Sequence, residues 1–101
     1  MHTNVTKADG EAVVRLSGRF DFNAHREFRA AYEPLMTDSS VRSVNIDMGG
    51  VEYLDSSALG MLLMLRDKSG AANKALALVN IPAPVKQVLE IANFGKLFKI
   101  V

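Results

Sequence analysis

The stretch whose residue types could carry chemistry is Asp55-Ser56-Ser57-Ala58-Leu59-Gly60. It stands where a helical pattern begins, and Asp or Ser at such a position caps the helix by accepting a hydrogen bond from a free backbone N–H. Capping alone would explain an isolated Asp-Ser-Ser. The chain carries its own control, because Asp38-Ser39-Ser40 has the same three residues but precedes a strand, and it reads as a loop. Two features set the second copy apart. Gly60 falls in the first turns of the helix, where glycine costs about 1 kcal/mol relative to alanine, so a close approach of another group is expected there. A wheel at about 100° per residue puts Ala58, Leu62 and Leu65 at the centre of the buried arc, flanked by Leu59 and Met61. Ser56, Gly60, Leu63 and Asp67 then line the opposite side with Met64 beside them. That ridge is unusually apolar for a solvated face and suits a protein partner.

A phosphoryl group on Ser56 would add roughly −1.5 to −2 charges. The helix N-terminus tolerates such a charge through its free N–H groups and its dipole, so the fold survives. A docked partner would meet a bulky dianion beside Asp55, and repulsion with desolvation would weaken binding without unfolding anything.

Other chemistry finds little support. His2 and His25 are the only histidines, neither belongs to a ligand cluster, and His25 reads as an exposed helix residue beside Arg26. Metal binding is not expected. No histidine lies in a segment aimed at Ser56, so no nucleophile–base pair can be assembled. Gly49-Gly50 lacks the lysine and serine of a phosphate loop. Asp47, Glu52 and Asp55 read as solvated carboxylates rather than a catalytic pair. The expectation is a binding protein with no catalytic residues and no cofactor.

The elements that must position this stretch follow from period and punctuation. Asn4 to Lys7 is a weak strand. Glu11 to Ser17 is a better one, with Ala12, Val14 and Leu16 alternating against Val13, Arg15 and Ser17. Asp9-Gly10 between them suits a tight hairpin turn. Ala24, Phe28, Ala31, Tyr32 and Leu35 share one helical face, with Asn23 as N-cap, and Pro34 near its end and Thr37-Asp38-Ser39-Ser40 after it mark the exit. Val41 to Met48 returns to period two, and Gly49-Gly50 is expected to break the strand. The helix from Ser56 should run to about Ser69, with Gly70 at C′. Lys74 to Asn80 is a strand, and Ile81-Pro82-Ala83-Pro84 a corner. Val85, Val88, Leu89 and Ala92 give a third helix, ended by Asn93-Phe94-Gly95, and Leu97 to Val101 a last strand. The order β-β-α-β-α-β-α-β predicts an α/β fold whose sheet is mixed but mostly parallel. Arg15, Ser17, Asn45 and Asp47 on the second strand faces place the helices mainly on one side.

One domain is expected from 101 residues. Charges nearly balance at +1 and the basic residues are scattered, so no nucleic-acid footprint is predicted. The absence of cysteine suits a reducing cytosol. No signal peptide precedes the first strand, and the longest apolar run, Met61 to Leu65, is too short to span a bilayer. A cytoplasmic protein is expected.

On these motifs the sequence resembles the STAS domain (sulphate transporter and anti-sigma factor antagonist) across essentially its whole length. The resemblance rests on Leu16-Ser17-Gly18-Arg19-Phe20-Asp21, on Val44 to Leu54, and on Gly95-Lys96-Leu97-Phe98-Lys99-Ile100. Its specific part is Asp55-Ser56-Ser57-Ala58-Leu59-Gly60. It implies a free-standing anti-sigma factor antagonist whose unphosphorylated form binds an anti-sigma factor that is also a serine kinase. Phosphorylation then falls on the first serine after the aspartate, here Ser56, and a PP2C-type phosphatase reverses it. Asp21 matches an acidic position near that serine. The implied partner surface comprises Asp21, Asp55, Ser56, Ser57, Gly60, Leu63, Met64 and Asp67, on a monomer or weak dimer. The alternative is a STAS subunit bound constitutively to a transporter or ATPase, with a structural serine. Two departures stand out: Ala58 replaces a frequent glycine, and the C-terminal helix common in the family is absent. That leaves open how the last strand is covered, and whether a dimer or partner covers it.

Overall fold

The computed structural model describes residues 1–101. Five strands form one sheet in the order β1-β2-β3-β4-β5, the order in which they occur in the chain. β1 (His2–Ala8) and β2 (Glu11–Phe20) pair antiparallel through Asp9 and Gly10, whose φ angles of 53° and 82° are those of a two-residue hairpin turn. From β2 onward every pairing is parallel. β2 joins β3 (Ser43–Leu54) through α1 (His25–Met36), β3 joins β4 (Ala75–Val79) through α2 (Ser56–Ala71), and β4 joins β5 (Lys99–Ile100) through α3 (Ala83–Ile91). Each crossover moves one strand further in the same direction. Right-handed connections then put all the helices on the same face of the sheet.

The mixed α/β sheet expected from the sequence is therefore present. On the helix side Ala12 and Val14 lie level with Val44 and Ile46, Leu16 and Met48 follow at the register slip, and all are buried. Phe28, Tyr32 and Leu35 of α1, Ala58, Leu62 and Leu65 of α2, and Val85 and Leu89 of α3 close over them. The far face is polar where β1, β2 and β3 meet. There Arg15 donates to Thr6 and lies 3.9 Å from Asp47, while Asn45 donates to Glu11.

Several boundaries differ from the sequence expectation. β1 spans His2–Ala8 because backbone pairing with β2 holds residues that carry little apolar pattern. β3 does not break at Gly49-Gly50 but continues to Leu54. Its register against β2 slips between Arg15 and Ser17 and again between Gly18 and Arg19, so β3 bulges while still paired. A Cβ on Gly50 would lie 2.7 Å from the Ser17 Cβ and 3.0 Å from the Leu16 carbonyl oxygen, so this glycine permits a close strand approach. Asn23 is not the N-cap of α1. Asp21 instead caps a 3-10 turn at Phe22–Ala24, from which α1 continues at His25. Gly70 lies inside α2, which ends one residue later, and the left-handed residue is Asn73 at φ 57°. Lys74 and Asn80 flank β4 rather than belonging to it. Pro82 N-caps α3, and Ala83 and Pro84 begin it, as the missing N–H of proline permits. The segment before β5 winds into a 3-10 turn at Phe94–Lys96, which buries Phe94 and shortens the strand to Lys99–Ile100.

Candidate functional site

The parallel register of β2 and β3 brings two loops together at the C-terminal end of the sheet. Phe20 pairs with Leu54 as both strands finish, and the Asp55 N–H donates to the Phe20 carbonyl at 3.3 Å. The turn after β2 and the start of α2 are thus neighbours. The Asp55 carboxylate joins them a second time. Its Oδ1 accepts from the Ala58 N–H at 3.0 Å, capping α2, and its Oδ2 accepts from the Phe22 N–H at 3.3 Å. An Asp at an N-cap is expected from local sequence; its hold on Phe22 is a tertiary contact.

Asp21, between the two residues bonded to Asp55, accepts from the Asn23 N–H at 3.0 Å. Its other oxygen faces the Arg19 guanidinium at 3.6 Å, and that guanidinium lies 4.3 Å from the centre of the Tyr53 ring. Arg19 and Tyr53 are opposite each other in the β2–β3 register. The mouth of the sheet therefore presents two carboxylates, a cation on an aromatic ring, and the first turn of α2.

Ser56 is the first residue of α2 and is exposed. Ser57 is half-buried and lines an apolar groove of about 390 Å³ with Phe22, His25, Gly60, Met61 and Met64. Ser57, Gly60, Met61 and Met64 recur at the three- and four-residue spacing of one helical face. Phe22 is 73% exposed and Met64 44% exposed. Such large apolar side chains held at the surface are informative.

The buried arc predicted for α2 is present, since Ala58, Leu62 and Leu65 are fully buried. Met61 is buried and Leu59 half-buried on its flanks. On the opposite side Ser56, Gly60, Met64 and Asp67 are exposed, but Leu63 is not part of an open ridge. It is half-buried and packs against the core. Nor does Gly60 answer to a close approach within the chain, for a Cβ placed there meets nothing within 4 Å. Its surroundings are open. Sequence reasoning missed Phe22, Arg19 and Tyr53, and treated Met61 and His25 only as a core flank and a solvated helix residue. Arg19 and Tyr53 fall inside stretches that carry the family resemblance, where no role was given to them, and Phe22 was not singled out.

A family model described as "Mlab, STAS domain" matches residues 3–101. The chain belongs to the STAS domain family. A STAS-domain containing protein of Pseudomonas aeruginosa is 46% identical over 99 residues, covering 97% of this chain and 96% of its own length. Among solved structures, an anti-sigma factor antagonist from Mycobacterium paratuberculosis is 26% identical with a TM-score of 0.86, over 98% of this chain and 83% of that one. The Bacillus cell fate determinant SpoIIAA in its phosphorylated form superposes with a TM-score of 0.75 over 99% of this chain and 91% of its own, at 19% identity. That last likeness is one of fold. Within the STAS fold, the site built from Asp21, Asp55 and Ser56 lies where β2, β3 and α2 meet. No helix of this STAS chain is long and apolar enough to cross a membrane.

Proposed function

We propose that this chain is an anti-sigma factor antagonist controlled by phosphorylation of Ser56, working in the cytoplasm by binding and not by catalysis. The observation that carries the reading is an exposed Ser56 hydroxyl at the first position of α2, on the same helix end that forms one wall of the Phe22–Met64 groove. The unphosphorylated surface, with Asp21, Asp55, Ser57, Gly60, Met64 and Asp67 around it, binds an anti-sigma factor with serine kinase activity. That partner transfers the terminal phosphoryl group of a nucleoside triphosphate to the Ser56 Oγ, releasing the nucleoside diphosphate and the hydroxyl proton. A PP2C-type phosphatase returns the serine and inorganic phosphate by hydrolysis. The phosphoryl dianion arrives beside Asp55 and Asp21, and like charges at a desolvated contact oppose rebinding by several kcal/mol. The helix end accommodates the charge, so the protein stays folded. Relatives named anti-sigma factor antagonist and a phosphorylated structural neighbour support this reading.

The test is a calorimetric titration of wild type, Ser56→Ala and Ser56→Asp against the serine-kinase anti-sigma factor of the same genome. Ser56→Ala should bind as wild type and resist inactivation by the kinase. Ser56→Asp should bind at least about tenfold more weakly, the equivalent of about 1.4 kcal/mol. Equal affinities for the three proteins would make Ser56 a helix cap and favour the constitutive subunit of a transporter or ATPase. Phosphopeptide mass spectrometry adds a second check: the phosphate belongs on Ser56 and not on Ser57, Ser39 or Ser40.

A further inference from the structure

Arg19 is the cation at the mouth of the sheet, and its donors are unspent. The guanidinium is 3.6 Å from the Asp21 carboxylate, beyond hydrogen-bond distance, and it donates no hydrogen bond to the rest of the chain. What holds it is the attraction of Asp21 and the face of the Tyr53 ring at 4.3 Å. The side chain is 63% exposed and so free to turn. Both residues flanking Asp21 are bonded to Asp55, which directly precedes Ser56. Arg19 thus lies across one carboxylate from the serine.

Resting on the phosphoserine reading above, we infer that Arg19 is a two-position side chain: paired with Asp21 over Tyr53 in the unmodified protein, and turned onto the phosphoryl group when Ser56 carries one. A phosphoryl group on Ser56 adds negative charge next to Asp55, whose bonded neighbours flank Asp21, the carboxylate that already faces the Arg19 guanidinium. The dianion attracts that guanidinium more strongly than a single carboxylate does, and the planar fork of N–H donors fits phosphate oxygens two at a time. The Tyr53 ring is in contact with the guanidinium in the first position. The other titratable groups beside the start of α2 are Asp21 and Asp55 and, lining the groove with Ser57, His25. Arg19 in this role secures the phosphorylated state and releases Asp21 from its pairing.

The experiment uses full-length protein with phosphoserine incorporated site-specifically at position 56, so no kinase or partner is needed. The phosphorus-31 chemical shift is followed against pH at low salt for wild type, Arg19→Gln, Arg19→Lys and Arg26→Gln. An unperturbed phosphoserine loses its second proton near pH 6. Pairing with Arg19 favours the dianion, so Arg19→Gln should raise the midpoint by about half a unit or more, with Arg19→Lys between. The difference should shrink in about 1 M salt. The same midpoint in wild type and Arg19→Gln would overturn the pairing, as would an equal rise in Arg26→Gln, which would mark a general surface-charge effect. Unphosphorylated Arg19→Gln should melt as wild type does. The two readings fail separately: a phosphoprotein that still binds the anti-sigma factor refutes the switch and leaves the pairing, whereas an unmoved midpoint refutes the pairing and leaves the switch.

Discussion

Met64 and Leu63 are consecutive on α2, yet their surroundings differ. Met64 stands 44% exposed on the groove wall, a flexible thioether suited to an irregular partner surface. Leu63 is half-buried against the core. Met64→Asp should therefore weaken partner binding about tenfold or more while the urea midpoint stays nearly unchanged. Leu63→Asp should cost about 1–3 kcal/mol of stability, because it drives a carboxylate into a partly desolvated apolar site. Binding and unfolding measured on the same two variants check both claims. The wheel assigned the buried arc of α2 because three fully buried positions repeat at helical spacing. It misplaced Leu63 because the angle around an axis says nothing about how far neighbouring elements reach.

At the scale of elements, two glycines separate the needs of the fold from those of a partner. Gly50 lies where β3 bulges against β2, and a methyl group there would press on the Ser17 side chain and the Leu16 carbonyl. Gly50→Ala should cost about 1–3 kcal/mol, as overpacking of a fixed backbone does. Gly60 faces open space, so Gly60→Ala should stabilise the protein by up to about 1 kcal/mol through helix propensity. If a partner backbone approaches α2 closely, the same change should weaken binding. Denaturant unfolding with a binding titration on each variant tests the contrast. These glycines also mark the limit of what sequence shows. Asp9-Gly10, the alternation in β2 and the helical face of α1 were legible because each signal is local. Gly49-Gly50 looked like a strand exit because what requires glycine lies far off in the chain, at Ser17 for Gly50 and at Asn80 for Gly49. The groove was hidden for a similar cause. Phe22 and Met64 become neighbours only once the end of β2 is fastened to the start of α2 through Asp55.

Over the whole molecule, the Asp38-Ser39-Ser40 loop has an electrostatic part of its own. The Asp38 carboxylate accepts from Lys7 on β1 at 3.0 Å and from the Ser40 hydroxyl and N–H, and these bonds hold it well below the usual carboxylate range. Lys74, ahead of β4, donates to the Asp38 and Val41 carbonyls. The loop thereby ties an edge of the sheet to the approach of β4. A carboxylate with a depressed folded pKa contributes stability in full above its unfolded pKa, near about 3.9, and loses that contribution as pH falls towards the folded value. Glu33 follows the same sign, lowered by its hydrogen bond and ion pair with Arg29. Wild type should therefore outlast Asp38→Ala in thermal melts at pH 6, and the gap should close progressively below about pH 4. A gap that persists at the lowest pH would mean that the contribution of Asp38 is not its charge. The order of the sheet has another consequence, for the making of the protein. Because spatial order copies chain order, each strand docks beside one that has already left the ribosome, and no gap is held open for a later strand to enter. Every loop closed during synthesis spans a single crossover, which keeps the entropy of closure low at each step. β5 emerges after the other four strands, is the shortest and lies at an edge, so a nascent chain that has not yet released it already holds the sheet that carries Asp55 and Ser56.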